Sequence, residues 1–283
     1  MEYLIHKGVS IPLIGFGSYG LGSDPDTAAE EAQTLRAGIE RYGMTLIDTA
    51  ESYGDGASEA FVGRIIQDYD RDRYLIVDKI LPEHAAKGGY LSSCRRSLDR
   101  LGVNQIDLYL LHWREGLALQ GVVDGMEDLV RRGLIKHWGV SNFDTEDMQE
   151  LFACRNGANC FCNQILYNLR ARGPEYELIP WCQAHGVLVL AYSPLCHRHE
   201  DRRTVAENPL VQEISVKEGK TPESLMLSFV IRNRDLAAVF KTGKSDRLHG
   251  NMKNVFSPID EAHLFALSQS FRAPDKRTKL ETI

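Results

Sequence analysis

Residues 44–54 read Met-Thr-Leu-Ile-Asp-Thr-Ala-Glu-Ser-Tyr-Gly. A short apolar run ends on one acid, Asp48, and a tyrosine, Tyr53, follows five residues later. The same grammar recurs downstream. Tyr74-Leu75-Ile76-Val77 leads to Lys79, and Leu108-Tyr109-Leu110-Leu111 leads to His112. If these runs are neighbouring parallel strands, an acid, a phenol, an ammonium and an imidazole meet at one rim, where barrel and doubly wound α/β folds place their chemistry.

Extending that grammar along the chain marks strand ends at Gly17, Asp48, Lys79, His112, Ser141, Gln164, Tyr192 and Lys241, spaced 31, 31, 33, 29, 23, 28 and 49 residues apart. A βα unit takes about 30 residues, so eight units are expected. The segments between carry helical stripes, such as Ala28/Ala32/Leu35/Ile39, Phe61/Val62/Ile65/Ile66, Leu91/Cys94/Leu98/Leu101 and Val122/Val123/Met126/Leu129/Val130. The long last interval holds room for two helices. One spans Pro209 to Lys217, and one is opened by Thr221-Pro222, an N-cap followed by proline. Two more are expected after Ser245 and Asp260. No Pro/Gly/Ser linker divides the chain, so residues 1–283 are read as a single domain. The leading fold is an α/β (β/α)₈ TIM barrel with extra C-terminal helices, ahead of an open doubly wound sheet of five or six strands.

Before the first unit, Tyr3-Leu4-Ile5 and Ile11-Pro12-Leu13-Ile14 flank Lys7-Gly8, which reads as an N-terminal β-hairpin placed to cap the lower mouth of the barrel. The polar tail from Arg272 to Ile283 is expected to lack regular order unless it docks near the site.

Composition narrows the class. Hydrophobic residues make up 43 % and charged residues 25 %, ordinary for a globular chain and too apolar for disorder. The net charge of −6, without a long Lys/Arg block, argues against a general nucleic-acid or anionic-membrane surface. Apolar runs fall far short of the roughly 20 residues that span a bilayer, and Met1 to Ser10 lacks a signal-peptide core, so a cytoplasmic protein is expected. No apolar stripe stands apart from the helix faces assigned to the core, which favours a monomer. Cys94, Cys154, Cys160, Cys162, Cys182 and Cys196 are scattered as in a reduced protein. Neither Cys160-x-Cys162 nor Cys196-His197-x-His199 has a partner pair at zinc spacing, so no metal is expected.

Taken in order, the motifs resemble the aldo-keto reductases from end to end. The matching stretches are Gly15-Phe16-Gly17-Ser18, Asp48 to Gly54, Lys79, Leu111-His112-Trp113, Gly139-Val140-Ser141-Asn142-Phe143, Asn163-Gln164 and Ala191-Tyr192-Ser193-Pro194-Leu195, with Lys241, Arg247 and Asn251 near the end. The texture is most similar to small bacterial reductases of methylglyoxal and similar aldehydes. The resemblance implies hydride from a nicotinamide cofactor and a proton from Tyr53 onto the carbonyl oxygen. A tyrosine titrates near 10, and a nearby cation lowers that value, a task suited to Lys79. Asp48 would hold the Lys79 ammonium, and His112 would orient the carbonyl, with Trp113 as an apolar wall. Singly, each of these is most simply a helix cap, a surface ion pair or a loop aromatic; their joint order and spacing favours the catalytic reading.

For the cofactor, Ser141, Asn142 and Gln164 are expected to bond the carboxamide and Tyr192 to stack on the ring. The family pattern adds Gly17, Ser18, Tyr19, Ser193 and Leu195 along the nicotinamide and pyrophosphate. Lys241, Thr242, Arg247 and Asn251 fall after strands seven and eight, where barrels commonly bind phosphate. A cation there suits a 2′-phosphate and favours NADPH, although a solvated basic helix start is the plainer alternative. Three departures from the family stand out: Phe240 where a proline is usual, Tyr19 where a tryptophan is frequent, and Arg114 in place of a proline. The stretch Cys196 to Arg203 is also more charged than expected for a pyrophosphate loop. Small, electron-poor aldehydes and 2-oxoaldehydes are the expected substrates, and Arg114 would attract carboxylated ones if it faced the cleft. Two competing readings remain. One is an NADP(H)-binding regulatory or redox-sensing module with little turnover; the other, a metal-dependent barrel hydrolase, has only Asp48 and His112 to offer as ligands.

Overall fold

Lys7 and Gly8 take positive φ, 46° and 81°, the backbone of a two-residue primed turn. They join β1 (Tyr3–His6) to β2 (Val9–Pro12) in an antiparallel hairpin. Here the computed structural model, which describes residues 1–283, corrects one boundary. Ile14 was expected in the hairpin, but the strand stops at Pro12, which has no N–H to extend the ladder. Ile14 instead opens the first barrel strand, where it is fully buried.

Eight parallel strands close the barrel: β3 (Ile14–Gly17), β4 (Leu46–Asp48), β5 (Leu75–Ile80), β6 (Ile106–Leu111), β7 (Ile135–Ser141), β8 (Cys162–Leu166), β9 (Leu188–Tyr192) and β10 (Ala237–Phe240). The β10 to β3 pairing, Ala238↔Ile14 to Phe240↔Phe16, removes the open-sheet alternative. Strand ends fall within two residues of those read from the sequence, the largest shift being β8, which runs on past Gln164 to Leu166.

Twelve helices are present: α1 (Ala28–Tyr42), α2 (Ala57–Ile66), α3 (Pro82–Ala86), α4 (Tyr90–Leu101), α5 (Leu119–Arg131), α6 (Thr145–Ala153), α7 (Leu178–Ala184), α8 (His199–Ala206), α9 (Pro209–Lys217), α10 (Pro222–Val230), α11 (Ser245–Asn251) and α12 (Glu261–Ser270). The expected stripes are their inner faces. In α4, Cys94, Leu98 and Leu101 are buried against the sheet, each leucine stabilising by about 1.5–3 kcal/mol. Thr221 caps α10 by accepting from the Ser224 N–H at 3.0 Å, and Asp260 caps α12 through Ala262 at 2.9 Å. No helix is long and apolar enough to cross a membrane.

The pleat divides each strand between two cores. Val77, Leu108, Leu110, Leu188 and Val239 fill the barrel, with Leu4 and Val9 of the hairpin packed beneath them. Lys7 Nζ donates to the Cys160 carbonyl at 3.2 Å, and the His6 ring meets Phe161 edge-on at 4.7 Å. The hairpin therefore plugs the N-terminal mouth, as expected. The other end stays open, and Asp48 and Lys79 stand there as the last inward-pointing residues of β4 and β5.

Candidate active site

Asp48 and Lys79 point into the barrel because each lies two residues beyond an interior apolar residue, Leu46 and Val77. The Lys79 side chain is fully buried and has no water to hydrate its charge. Its three N–H bonds are matched by three acceptors: Asp48 Oδ1 at 2.8 Å, the Thr49 carbonyl at 2.8 Å and the Tyr53 hydroxyl at 3.2 Å. Burial pulls the ammonium down, but Asp48 and Tyr53 pull it up further, so Lys79 stays charged.

Tyr53 differs from expectation in one respect. Burial raises its phenol above 10, and the lowering by Lys79 only partly offsets that. The group therefore holds its proton at neutral pH, the form an acid needs. Tyr53 hangs from the loop before α2, with the Tyr19 ring edge-on at 5.1 Å and the His112 ring at 5.9 Å.

His112 follows β6. Burial, then the Lys79 charge, lowers its imidazole to about 3, so it is neutral at working pH. Ser52 Oγ lies 3.3 Å from its Nδ1. With the hydroxyl donating there, Nε2 carries the hydrogen and is the nitrogen free to donate to a carbonyl oxygen. Ser52 was not singled out from the sequence, although it directly precedes Tyr53. Trp113 packs on the His112 ring at 4.8 Å.

A cavity of about 530 Å³ opens over this rim. Tyr53, His112, Trp113, Asp48, Gly17 and Tyr19 line one side; Ser141, Asn142, Gln164, Tyr192, Ser193 and Leu195 line the other. The second group is tightly tied. Ser141 Oγ donates to the Gln164 carbonyl at 2.9 Å, Asn142 Nδ2 donates to the His112 carbonyl at 3.0 Å, and the Tyr192 hydroxyl donates to Asn142 Oδ1 at 2.7 Å. Gln164 Nε2 donates to Asp48 Oδ1 at 2.6 Å. Ser18 falls outside this wall. It is fully buried with its hydroxyl unpartnered, while its N–H donates to the Asp48 carbonyl.

A second cavity, about 720 Å³, holds Thr242, Arg247 and Asn251. Lys241 and Arg202 line both cavities and mark where they meet. Arg202 comes from the charged stretch read as a loop; from His199 it is instead helix α8, which turns Arg202 towards the rim. Neighbouring Arg170 and Arg203 are paired with Asp201 and Glu207, whereas Arg202, Lys241 and Arg247 have no carboxylate partner. Two joined chambers with free cations at the neck and in the outer one fit a dinucleotide that carries phosphates.

Two expectations are corrected or resolved. Arg114 does not face the cleft: it pairs with Asp147 at 2.6 Å and Glu150 at 2.7 Å on α6. The tail from Arg272 docks after all. Arg277 pairs with Glu146 at 2.6 Å and Glu177 at 3.5 Å, and Ile283 reaches the first cavity.

Residues 13–269 match the model of the Aldo/keto reductase family. The chain belongs to the aldo/keto reductase family. It is 38 % identical over 275 residues to methylglyoxal reductase YeaE of Escherichia coli (strain K12), covering 97 % of this chain and 96 % of that one. An aldo/keto reductase of Klebsiella pneumoniae crystallised with NADP and acetate superposes with a TM-score of 0.94 at 37 % identity, covering 99 % and 98 % of the two chains. A Klebsiella pneumoniae structure with NADPH gives 0.94 at 38 % identity over the same shares. The protein is thus an NADP-dependent oxidoreductase that reduces carbonyl groups, and the family cofactor is NADP(H).

Proposed function

We propose that residues 1–283 work as one barrel domain that reduces small aldehydes and 2-oxoaldehydes, methylglyoxal among them, with Tyr53 as proton donor. The observation that carries this is the buried chain from Asp48 through the Lys79 ammonium to the Tyr53 hydroxyl. NADPH, when bound, supplies the hydride. Ser141, Asn142 and Gln164 would hold its carboxamide and Tyr192 its ring. Gly17, Tyr19, Ser193 and Leu195 would flank the ring and pyrophosphate, and Thr242, Arg247 and Asn251 the outer phosphate, with Lys241 at the neck.

His112 Nε2 donates to the substrate oxygen and sets its direction. Tyr53 delivers its proton to that oxygen as negative charge develops, and Lys79 stabilises the phenolate left behind. Lys79 never has to lose its own proton, because Asp48 holds it charged. Trp113 and Phe240 give the cavity apolar walls, which suit compact carbonyl compounds. An NADP(H)-holding module without turnover has no use for a fully buried ammonium bonded to a phenol. The methylglyoxal assignment follows the E. coli relative's activity, and the monomeric, cytoplasmic reading follows the sequence.

Replacing Tyr53 with Phe tests the reading. NADPH oxidation with methylglyoxal should fall about 10²–10⁴-fold while NADPH still quenches tryptophan fluorescence with unchanged affinity. Turnover within tenfold of wild type would remove Tyr53 from the acid's role. If neither methylglyoxal, 4-nitrobenzaldehyde nor succinic semialdehyde oxidised NADPH, the substrate class would be wrong.

A further inference from the structure

Asp78 immediately precedes Lys79, and the pleat of β5 sends its side chain the opposite way, outward beneath α2 and α4. It is fully buried there, as is Glu59 on α2. Asp78 Oδ1 accepts from the Lys79 main-chain N–H at 2.8 Å, and Glu59 Oε2 accepts from Arg100 Nε at 2.6 Å. The remaining oxygens, Asp78 Oδ2 and Glu59 Oε1, are buried and have no hydrogen-bond donor in the protein. The two carboxyls are neighbours: after burial, Glu59 is the strongest influence on Asp78.

Two bare carboxylates side by side, out of water and with one cation for both, are strongly disfavoured. Nothing else nearby supplies a second cation free to pair. From α4 the pair faces Arg100 and Cys94, and from β6 it faces Tyr109, whose register partner is Asp78. Burial keeps that thiol and that phenol protonated. Lys79 is on the far face of β5 and committed to Asp48. Glu51, in the loop beyond β4, is engaged by the Leu81 N–H, His84 and Arg96.

We propose that Asp78 and Glu59 share a single proton, and that this acid–carboxylate bond is a positioning clamp that holds α2, and with it the Tyr53 loop, on the strand that carries Lys79. Glu59 lies six residues after Tyr53, and the Ser58 N–H donates to the Tyr53 carbonyl at 3.2 Å, so a shift of α2 is a shift of the phenol. The same face of the helix is braced one turn on as well. A Cβ on Gly63 would lie 2.5 Å from the Arg100 carbonyl, which leaves α2 no room to move towards α4. Arg100 holds Glu59, so the proton resides on Asp78.

The clamp has an electrostatic consequence. Burial first, then Glu59, raises the Asp78 carboxyl well above the usual carboxylate range. An ionised Asp78 would add to Asp48 in pushing the Tyr53 phenol up, against Lys79; a protonated one leaves Asp48 alone to do so. The folded chain keeps the Asp78 proton to higher pH than the unfolded chain. Stability therefore falls as pH rises from about 3.8 towards the folded value.

The inference rests on Tyr53 and Lys79 as the reacting pair, and its test includes readouts that do not depend on them. Asp78→Asn replaces the shared proton with an amide N–H that donates to Glu59 while its oxygen still accepts from Lys79. Asp78→Leu abolishes the bond. In infrared spectra at neutral pH, wild type should show a buried protonated-carboxyl band that Asp78→Asn lacks. Thermal melting of Asp78→Asn should lose part of the fall that wild type shows as pH rises from about 3.8. Turnover in Asp78→Leu should drop tenfold or more at unchanged NADPH affinity, and Asp78→Asn should restore it to within a few-fold, with its alkaline limb moved to higher pH. A wild-type spectrum without the band, or identical melting slopes and alkaline limbs in wild type and Asp78→Asn, would overturn the clamp. If Asp78→Leu does not fold, those two comparisons decide alone. If Tyr53 were not the acid, the band and melting slope would still report on the pair.

Discussion

Gln164 and Lys79 converge on one atom: Gln164 Nε2 lies 2.6 Å from Asp48 Oδ1, and Lys79 Nζ lies 2.8 Å from the same oxygen. One carboxylate thus joins the reacting side of the rim to the side expected to hold the nicotinamide. Its loss should be felt in stability as well as in chemistry. Lys79→Met leaves Asp48 buried without its cation and should cost about 3–5 kcal/mol in urea unfolding. Adding Asp48→Asn should recover most of that loss and none of the turnover. An additive double mutant would mean that the two residues do not act as a pair.

His112 makes a prediction about acid. Its folded value is lowered to about 3 from 6.5, so the stability it contributes is present above 6.5 and is lost as pH falls towards the folded value. Melting temperatures between pH about 6.5 and 4 should fall less steeply in His112→Gln than in wild type. The kcat/KM profile of wild type should show no acid limb from this residue near its ordinary value. A limb near 6.5 that vanishes in His112→Gln would contradict the neutral imidazole.

The cations of the two cavities should separate by cofactor. Arg247 lines only the outer cavity, so Arg247→Ala should raise the KM for NADPH much more than that for NADH. Arg202 lines both, at the neck where the pyrophosphate common to the two cofactors would lie. Arg202→Ala should weaken both by similar factors, about tenfold for one charge-assisted contact. Fluorescence titration with each nucleotide distinguishes these patterns.

Arg114 should be silent towards substrate charge. Because its guanidinium is taken by Asp147 and Glu150, Arg114→Ala should leave the KM ratio of succinic semialdehyde to methylglyoxal unchanged. Stability should drop by only about 1 kcal/mol, since all three groups are partly exposed. A selective rise for the carboxylated substrate would place the side chain in the cleft.

The barrel was legible because its rules are periodic. Strand length, a repeat near 30 residues and stripes at helical spacing are carried by residue type alone, and so were the N-caps Thr221 and Asp260. The gathering of Asp48, Tyr53, Lys79 and His112 at one rim was legible because each sits at a strand end or just after one. What the sequence hid depends on contacts between distant segments. Nothing local says whether Arg114 turns to α6 or to the cleft, because two carboxylates 33 and 36 residues away decide it. The helix from His199 places Arg202 beside Lys241, and no spacing rule predicts that neighbour. The Tyr53 phenol illustrates a second limit. Its partner was evident, but whether Lys79 outweighs burial is a balance that only packing determines, and burial wins.

The hairpin at the chain start gives the barrel a floor. With Leu4 and Val9 packed under the interior and Lys7 bonded to Cys160, the lower mouth is closed, and the cavity lined by Tyr53, Trp113 and Tyr192 lies at the opposite rim. A nicotinamide ring and a carbonyl compound would therefore have to reach Tyr53 from the same end of the barrel.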